Sequence, residues 1–174
     1  MRNIILGLVL VGFIHCGCQQ KQAEQKTPTN AQELDEANKR FLKLEALDIA
    51  NFVKRRNLNT IKTGTGVEIA ITEKSKSEVK ASSGKVAVIE YTISLLNGKE
   101  CYKTAPGQPD EFLVDYDDVE SGLHEAIQYL AVGDKALIII PSHRAHGIAG
   151  DYNQIPSRAT IVYSLKLLAV KEYR

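Results

Sequence analysis

The stretch VESGLHEAIQYLAVGDKALIIIP, residues 119–141, contains the change of periodicity that decides the fold. Its first half places apolar side chains at helical spacing, namely Val119, Leu123, Ile127 and Leu130. Gly133 ends this predicted helix over residues 119–130. The run 136–140 is uninterrupted, apolar and of strand length, and Pro141 ends it. We therefore expect one short helix followed directly by an apolar strand.

The sequence on both sides of this stretch alternates with period 2, which is typical of strands. Strands are predicted over residues 67–72, 84–96, 99–104, 112–114 and 159–170, with a hairpin at Asn97-Gly98. Two strands have clear apolar faces, formed by Ala87, Ile89, Tyr91, Ile93 and Leu95 and by Ile161, Tyr163, Leu165 and Leu167. A long loop, 142–157, precedes the last strand. Many antiparallel strands with one inserted helix indicate an α+β fold.

Residues 31–58 precede the strands and predict an amphipathic helix. Asn30 is suited to be its N-cap, with Glu33 three residues later in a capping-box arrangement. The apolar stripe comprises Leu34, Ala37, Phe41, Leu44, Phe52 and Val53, with Leu47 close to the same face.

The strand patterns also leave apolar residues on the opposite side of the predicted sheet, namely Val86, Val88, Leu137, Ile139 and Val162. Such a patch is expected to be covered. We expect the helix to cover it through Phe41, Leu44 and Phe52. The alternative is an interface with a second copy of the chain or with an envelope protein.

The first 30 residues predict export. Ile4 to Ile14 is an apolar run of signal-peptide length, shorter than a membrane span. It ends in His15-Cys16-Gly17-Cys18, which resembles a bacterial lipobox with an unusual histidine. On this interpretation residues 1–17 are a lipoprotein signal, Cys18 is lipidated and inserts into the bilayer, and 18–30 form a tether. An ordinary secretory signal is the alternative.

The composition of the chain argues against some classes of function. The chain has 174 residues, 22 basic against 21 acidic side chains, and a formal charge of +1. This balance argues against a nucleic-acid partner, since phosphate neutralisation needs a basic surplus. Cleavage before Cys18 would leave Cys101 as the single free thiol, so an intrachain disulfide is excluded.

Several motifs from residue 91 onward occur in the order found in one family. They are Tyr91-Thr92 before Asn97-Gly98-Lys99, Val119-x2-Gly122-Leu123-x-Glu125-Ala126, Leu130-x-Val132-Gly133, Ile140-Pro141, Ala145-His146-Gly147 and Ile155-Pro156-x2-Ala159-Thr160. Together they resemble FKBP-type peptidyl-prolyl cis-trans isomerases over residues 64–174. The layout with a lipid anchor resembles the gliding-motility-associated lipoproteins of that family.

The resemblance implies a twisted antiparallel sheet wrapped around a short helix, with an apolar cleft between them. It implies prolyl isomerisation of extracytoplasmic polypeptides at the periplasmic face of the envelope, without metal or cofactor. The implied site residues are Tyr91, Val119, Glu120, Leu123, His146, Ile155 and Tyr163, with Cys101 and Tyr102 at the rim. The backbone N–H of Glu120 would meet the substrate carbonyl, and His146 would replace a tyrosine donor.

Three positions depart from the family pattern. Cys101-Tyr102 replaces a Phe-Asp pair, so the resemblance predicts a missing pocket carboxylate, and Asp110 and Glu120 replace an aromatic residue and an isoleucine. These changes predict reduced or altered activity. They keep open an alternative function, a non-catalytic binding or chaperone module in an envelope assembly such as gliding motility or secretion.

Overall fold

A computed structural model describes residues 31–173. The predicted signal, the Cys18 anchor, the tether and the Asn30 cap lie outside these described residues. The elements in chain order are α1 (Ala31–Arg55), β1 (Ile61–Lys62), β2 (Glu68–Glu73), β3 (Lys85–Leu95), β4 (Glu100–Lys103), β5 (Asp110–Leu113), α2 (Ser121–Ile127), β6 (Lys135–Ile140), a 3-10 turn (Ser142–Arg144) and β7 (Ile161–Glu172). The predicted α+β class is confirmed.

The strands form one antiparallel sheet in the order β1-β2-β6-β7-β3-β4, with β5 also paired to β3. β3 is 11 residues long, so it pairs with β7 along one edge and with both β4 and β5 along the other. The register places Ile138 opposite Tyr163 and Tyr163 opposite Ile93. These three side chains therefore form one row on the face that carries the core.

That core lies between the sheet and α2. Alternation predicted the inward residues correctly: Ala87, Ile89, Ile93, Ala136, Ile138, Ile140, Ile161, Tyr163, Leu165 and Leu167 all belong to the main cluster. Leu123, Ala126 and Ile127 of α2 join them. Gly122 permits the close approach, because a methyl group there would lie 2.4 Å from Cγ2 of Ile140.

A second, smaller cluster lies on the other face of the sheet. Ile49 and Phe52 of α1 pack there against Ile139 and Val162, with Leu137 at the margin. The predicted intramolecular cover is therefore confirmed for Phe52. It is wrong for Leu44, which is 55% exposed. Phe41 lies instead under the guanidinium of Arg158, 4.9 Å from its ring centroid.

Several boundaries differ from the sequence prediction, including the end of α1 and the start of α2. α1 ends at Arg55 and not at residue 58, because Asn57 adopts the left-handed conformation with φ 51°. α2 begins at Ser121, since Glu120 is still extended with ψ 132°. Within residues 31–173, no helix is both long and apolar enough to cross a bilayer.

Candidate functional site

A cavity of about 470 Å³ opens between β3, β4, β7 and the segment before α2. Its lining residues are Tyr91, Ile93, Tyr102, Asp118, Val119, Glu120, Ala145, His146, Asp151 and Tyr163. The volume is in the range of small-molecule and peptide side-chain sites. Six of the nine residues predicted for the site thus meet around one cavity: Tyr91, Tyr102, Val119, Glu120, His146 and Tyr163.

Two tyrosines form the aromatic walls. Tyr91 and Tyr163 come from neighbouring strands, with ring centroids 5.4 Å apart and planes inclined by 55°. The Tyr91 hydroxyl donates to Asp110 Oδ2 at 2.8 Å. Burial, together with the Asp110 carboxylate, raises the pKa of Tyr91 to about 12. Burial and the neighbouring Glu120 carboxylate raise the pKa of Tyr163 still further. Both hydroxyls therefore remain protonated donors at physiological pH.

The Glu120 carboxylate organises one side of the cavity. Its side chain is only 9% exposed and accepts hydrogen bonds from the Tyr163 hydroxyl (2.7 Å to Oε2) and His146 Nε2 (2.9 Å to Oε1). His146 was predicted to be a donor to the client, and its Nε2 is thus already engaged inside the protein. The backbone N–H of Glu120 donates no hydrogen bond within residues 31–173, which leaves it available for a carbonyl.

Tyr102 and Asp151 form the opposite side. The Tyr102 hydroxyl donates to Asp151 Oδ2. The other oxygen, Oδ1, accepts the backbone N–H groups of Asn153 (2.9 Å) and Ile155 (2.8 Å). Burial alone would raise the Asp151 pKa, but these three hydrogen bonds lower it to about 2. Asp151 is therefore an anion that fixes the β6–β7 loop against β4.

Carboxylates are consequently not absent from the cavity, contrary to the prediction from Cys101-Tyr102. Asp118, Glu120 and Asp151 line it, and Asp110 binds the Tyr91 wall. Asp151 carried no motif signal, because its role depends on a loop conformation that brings it to Tyr102. Asp118, in the acidic turn before α2, carried no motif signal either.

Three predicted residues lie beneath the cavity and do not line it. Leu123 and Ile155 are almost fully buried in the main cluster, and Cys101 is buried beside them. Burial raises the pKa of Cys101, which keeps the thiol protonated and fits a packing role. His143 contacts the Thr65 carbonyl while His146 binds Glu120, so the two histidines do not converge. Among residues 31–173 there is no cluster of three or more side chains suited to hold a metal.

Comparison with known proteins decides the family. Residues 77–168 match the model of the FKBP-type peptidyl-prolyl cis-trans isomerase family, which is more than half of the chain. The chain belongs to this family. Among its relatives, FK506-binding protein 1 of Debaryomyces hansenii is 30% identical over 104 residues, covering 59% of this chain and 93% of the relative.

A second group of relatives extends beyond the FKBP domain. The isomerase FkpA of Buchnera aphidicola is 28% identical over 160 residues, covering 90% of this chain and 63% of the relative. The crystal structure of Escherichia coli FkpA is similar with a TM-score of 0.61 and 27% identity, covering 82% of this chain and 68% of that one. A Pseudomonas syringae pv. tomato isomerase has the same fold, with a TM-score of 0.66, 24% identity and coverage of 77% and 96%. The FKBP fold is therefore confirmed.

Proposed function

We propose that this FKBP-family chain catalyses cis–trans isomerisation of X–Pro bonds in proline-containing polypeptide clients. The supporting observation is one cavity that combines the tilted tyrosine walls Tyr91 and Tyr163 with the unpaired backbone N–H of Glu120. Family membership supports the same activity.

The chemistry requires no reactive side chain. Rotation about an X–Pro bond faces a barrier of about 18–20 kcal/mol because the amide loses resonance as it twists. A cavity that binds the twisted amide better than the planar one lowers that barrier. Aromatic walls hold the pyrrolidine ring and exclude water, which otherwise favours the polarised planar amide. The Glu120 N–H is suited to donate to the client carbonyl, and Glu120 itself keeps Tyr163 and His146 in place.

The test is a proline-peptide isomerisation assay on residues 19–174, in which the chain retains α1 and the whole FKBP domain. We expect catalysis that falls with Tyr91→Ala. A wild-type chain that does not catalyse isomerisation would refute the proposal, whether or not it binds such peptides.

The second candidate is a non-catalytic binding or chaperone module. It is favoured by one observation. Tyr91, Tyr163 and His146 are already hydrogen-bonded to carboxylates, so these polar side chains of the cavity are held in place by one another. Absence of catalysis together with intact binding of an unfolded, proline-containing client would support this function.

We further propose that the protein is an envelope lipoprotein facing the periplasm, anchored in the bilayer through acylated Cys18. The basis is the apolar run before His15-Cys16-Gly17-Cys18. Cell fractionation of the full chain tests it. Cys18→Ser should move the protein from the membrane to the soluble fraction, and the matched control Cys16→Ser should leave it on the membrane. If both variants and the wild type are soluble, the ordinary secretory signal is the correct interpretation.

A further inference from the structure

One carboxylate of α1 is buried although most of its helical neighbours are exposed. Glu45 is 7% exposed, whereas residues 42–44 and 46–48 are all exposed. Withdrawing a carboxylate from water is unfavourable unless donors replace the lost hydration. Glu45 Oε1 accepts two: the backbone N–H of Ser142 and the hydroxyl of Thr160, each at 2.7 Å. Both bonds are made to an ionised acceptor, the stronger class of hydrogen bond.

The two donors are the two ends of the same loop. Ser142 lies at the start of the β6–β7 loop, separated from β6 only by Pro141, and Thr160 ends the loop directly before β7. A single oxygen atom of α1 therefore bridges the two ends of the loop, just beyond the last β6–β7 pair, Ile140 and Ile161. Inside the loop, Gly147 donates its N–H to the Ser142 carbonyl (2.8 Å) and Arg158 donates its N–H to the Gly147 carbonyl (2.9 Å).

α1 also holds the loop at Arg158. The Arg158 guanidinium donates to Asn38 Oδ1 at 3.0 Å and lies over the Phe41 ring. Arg158 has φ 56°, a left-handed conformation that is unfavourable for a residue with a side chain. These α1 contacts offset that strain, so the loop conformation depends on the helix.

The same loop supplies one wall of the cavity. Ala145, His146 and Asp151 line it, and α1 contributes no lining residue. α1 can therefore affect the cavity only indirectly, either through this loop or through β6 and β7, on which Phe52 packs. α1 is thus separate from the residues that line the cavity, and it is a candidate for indirect control of the cavity's shape.

We propose that Glu45 is a positioning residue, which fixes the β6–β7 loop so that His146 and Asp151 complete the cavity. The expected effect of Glu45 on catalysis rests on the proposed isomerase function, whereas its expected effect on the loop conformation does not. On this proposal α1, which lies outside the FKBP domain, contributes to the function of the site through Glu45.

The test compares Glu45→Ala with Asp48→Ala, an exposed carboxylate one turn along the same helix, in the full chain. Two quantities are measured: amide hydrogen exchange over residues 142–160, and kcat/KM for a proline peptide. Loss of hydrogen bonds to a charged acceptor predicts roughly tenfold or faster exchange in the loop and a similar fall in kcat/KM. Exchange in the centres of β3 and β7 should stay unchanged, and Asp48→Ala should change neither quantity.

Two further variants keep the test decisive. Thr160→Val removes only the hydroxyl donor and retains the shape of the side chain, so it serves if Glu45→Ala does not fold. Glu45→Gln retains a neutral acceptor and should restore part of both losses. The His146 ring signals in NMR spectra should shift in Glu45→Ala and Thr160→Val but not in Asp48→Ala.

The outcomes separate the two proposals. Unchanged loop exchange and unchanged His146 signals in the folded Glu45 and Thr160 variants would overturn the role of Glu45. Exchange that rises equally throughout the sheet would also overturn it, since this would show general destabilisation only. If the wild type has no isomerase activity, the proposed function fails, and loop exchange with the His146 signals still decides the role of Glu45.

Discussion

At the scale of single residues, the ring and the hydroxyl of Tyr91 have separable roles. The ring is a cavity wall packed on Tyr163, and the hydroxyl only orients it by binding Asp110. We expect Tyr91→Ala to lower kcat/KM roughly tenfold or more, since loss of an aromatic contact of about 1.5 kcal/mol corresponds to that factor. Tyr91→Phe keeps the wall and should lower it less than about threefold. Equal losses in both variants would show that the hydroxyl, and not the ring, is required.

Asp134 links stability to pH. Its carboxylate is fully buried and accepts the backbone N–H groups of Ala131 (2.9 Å) and Ser75 (2.6 Å) and the Lys74 ammonium (2.9 Å). Burial opposes ionisation, but these bonds prevail and lower the Asp134 pKa to about 2. Because the folded pKa lies below that of the unfolded chain, the stabilisation is present above about pH 4 and lost as pH falls towards 2.

Asp134→Asn tests this linkage. We expect the variant to lose about 2–3 kcal/mol of unfolding free energy at pH 7, because two backbone donors and an ammonium lose their charged acceptor. Its stability should then vary less with pH between 4 and 2 than that of the wild type. Urea unfolding at several pH values measures both effects. A variant with the same pH slope as the wild type would contradict the assignment.

At the scale of elements, the contact between α1 and the sheet depends on few side chains. Phe52 is 3% exposed and packs on Ile139 and Val162, whereas Leu47 on the same helix is 56% exposed. Phe52→Ala should therefore cost about 3–4 kcal/mol through lost burial and the cavity that remains. Leu47→Ala is the matched control and should change stability by less than about 0.5 kcal/mol. Comparable losses in urea unfolding would show that α1 is held differently.

The contact between α2 and β6 depends on the absence of a side chain at Gly122. A methyl group there would lie 2.4 Å from Ile140 Cγ2 and 3.2 Å from the Arg144 carbonyl oxygen. We expect Gly122→Ala to destabilise the fold by about 1–3 kcal/mol, since overpacking outweighs the helix propensity of alanine. At Gly64 the added methyl meets open space, so Gly64→Ala is the control with little change. Thermal unfolding of the two variants measures the difference.

The regular elements could be predicted because their patterns are local. Period 2 in β3 and β7 indicated which of their side chains face the core, and the hairpin signal at Asn97-Gly98 predicted the connection of β3 to β4. β1 was not predicted, since two residues carry no periodicity. The segment predicted as helical extended to residue 58, whereas α1 ends at Arg55, because Asn57 adopts a left-handed conformation.

The site was predicted only in part, for a different reason. Motif positions placed Tyr91, Glu120 and Tyr163 around the cavity, because they lie on or beside regular elements. Asp151 and the engagement of His146 by Glu120 depend on how the β6–β7 loop folds. That conformation depends on contacts with α1. Glu45 of α1 binds Ser142 and Thr160, which lie 97 and 115 residues further along the chain. Patterns along one chain do not encode pairings of that range.

At the scale of the whole molecule, charge is distributed unevenly. The chain as a whole has a formal charge of +1, yet Asp118, Glu120 and Asp151 line the cavity with His146 as the single basic side chain. Asp118 makes no hydrogen bond or ion pair within residues 31–173, so its charge is not neutralised locally. The cavity should therefore attract cationic segments of a client more than anionic ones.

Peptides with Lys, Leu or Glu beside the proline measure this preference. One exposed carboxylate at about 7 Å contributes about 0.5–1 kcal/mol at an effective dielectric constant near 60, which corresponds to roughly two- to fivefold in kcat/KM. We expect the order Lys, Leu, Glu at low salt and convergence towards one value near 0.5 M salt, where the Debye length is only about 4 Å. Asp118→Asn should reduce the spread while leaving the Leu peptide unchanged. Asp48→Asn on α1, away from the cavity lining, is the control and should leave the spread in kcat/KM among the three peptides intact. A spread that persists at high salt would show that shape rather than charge selects the client.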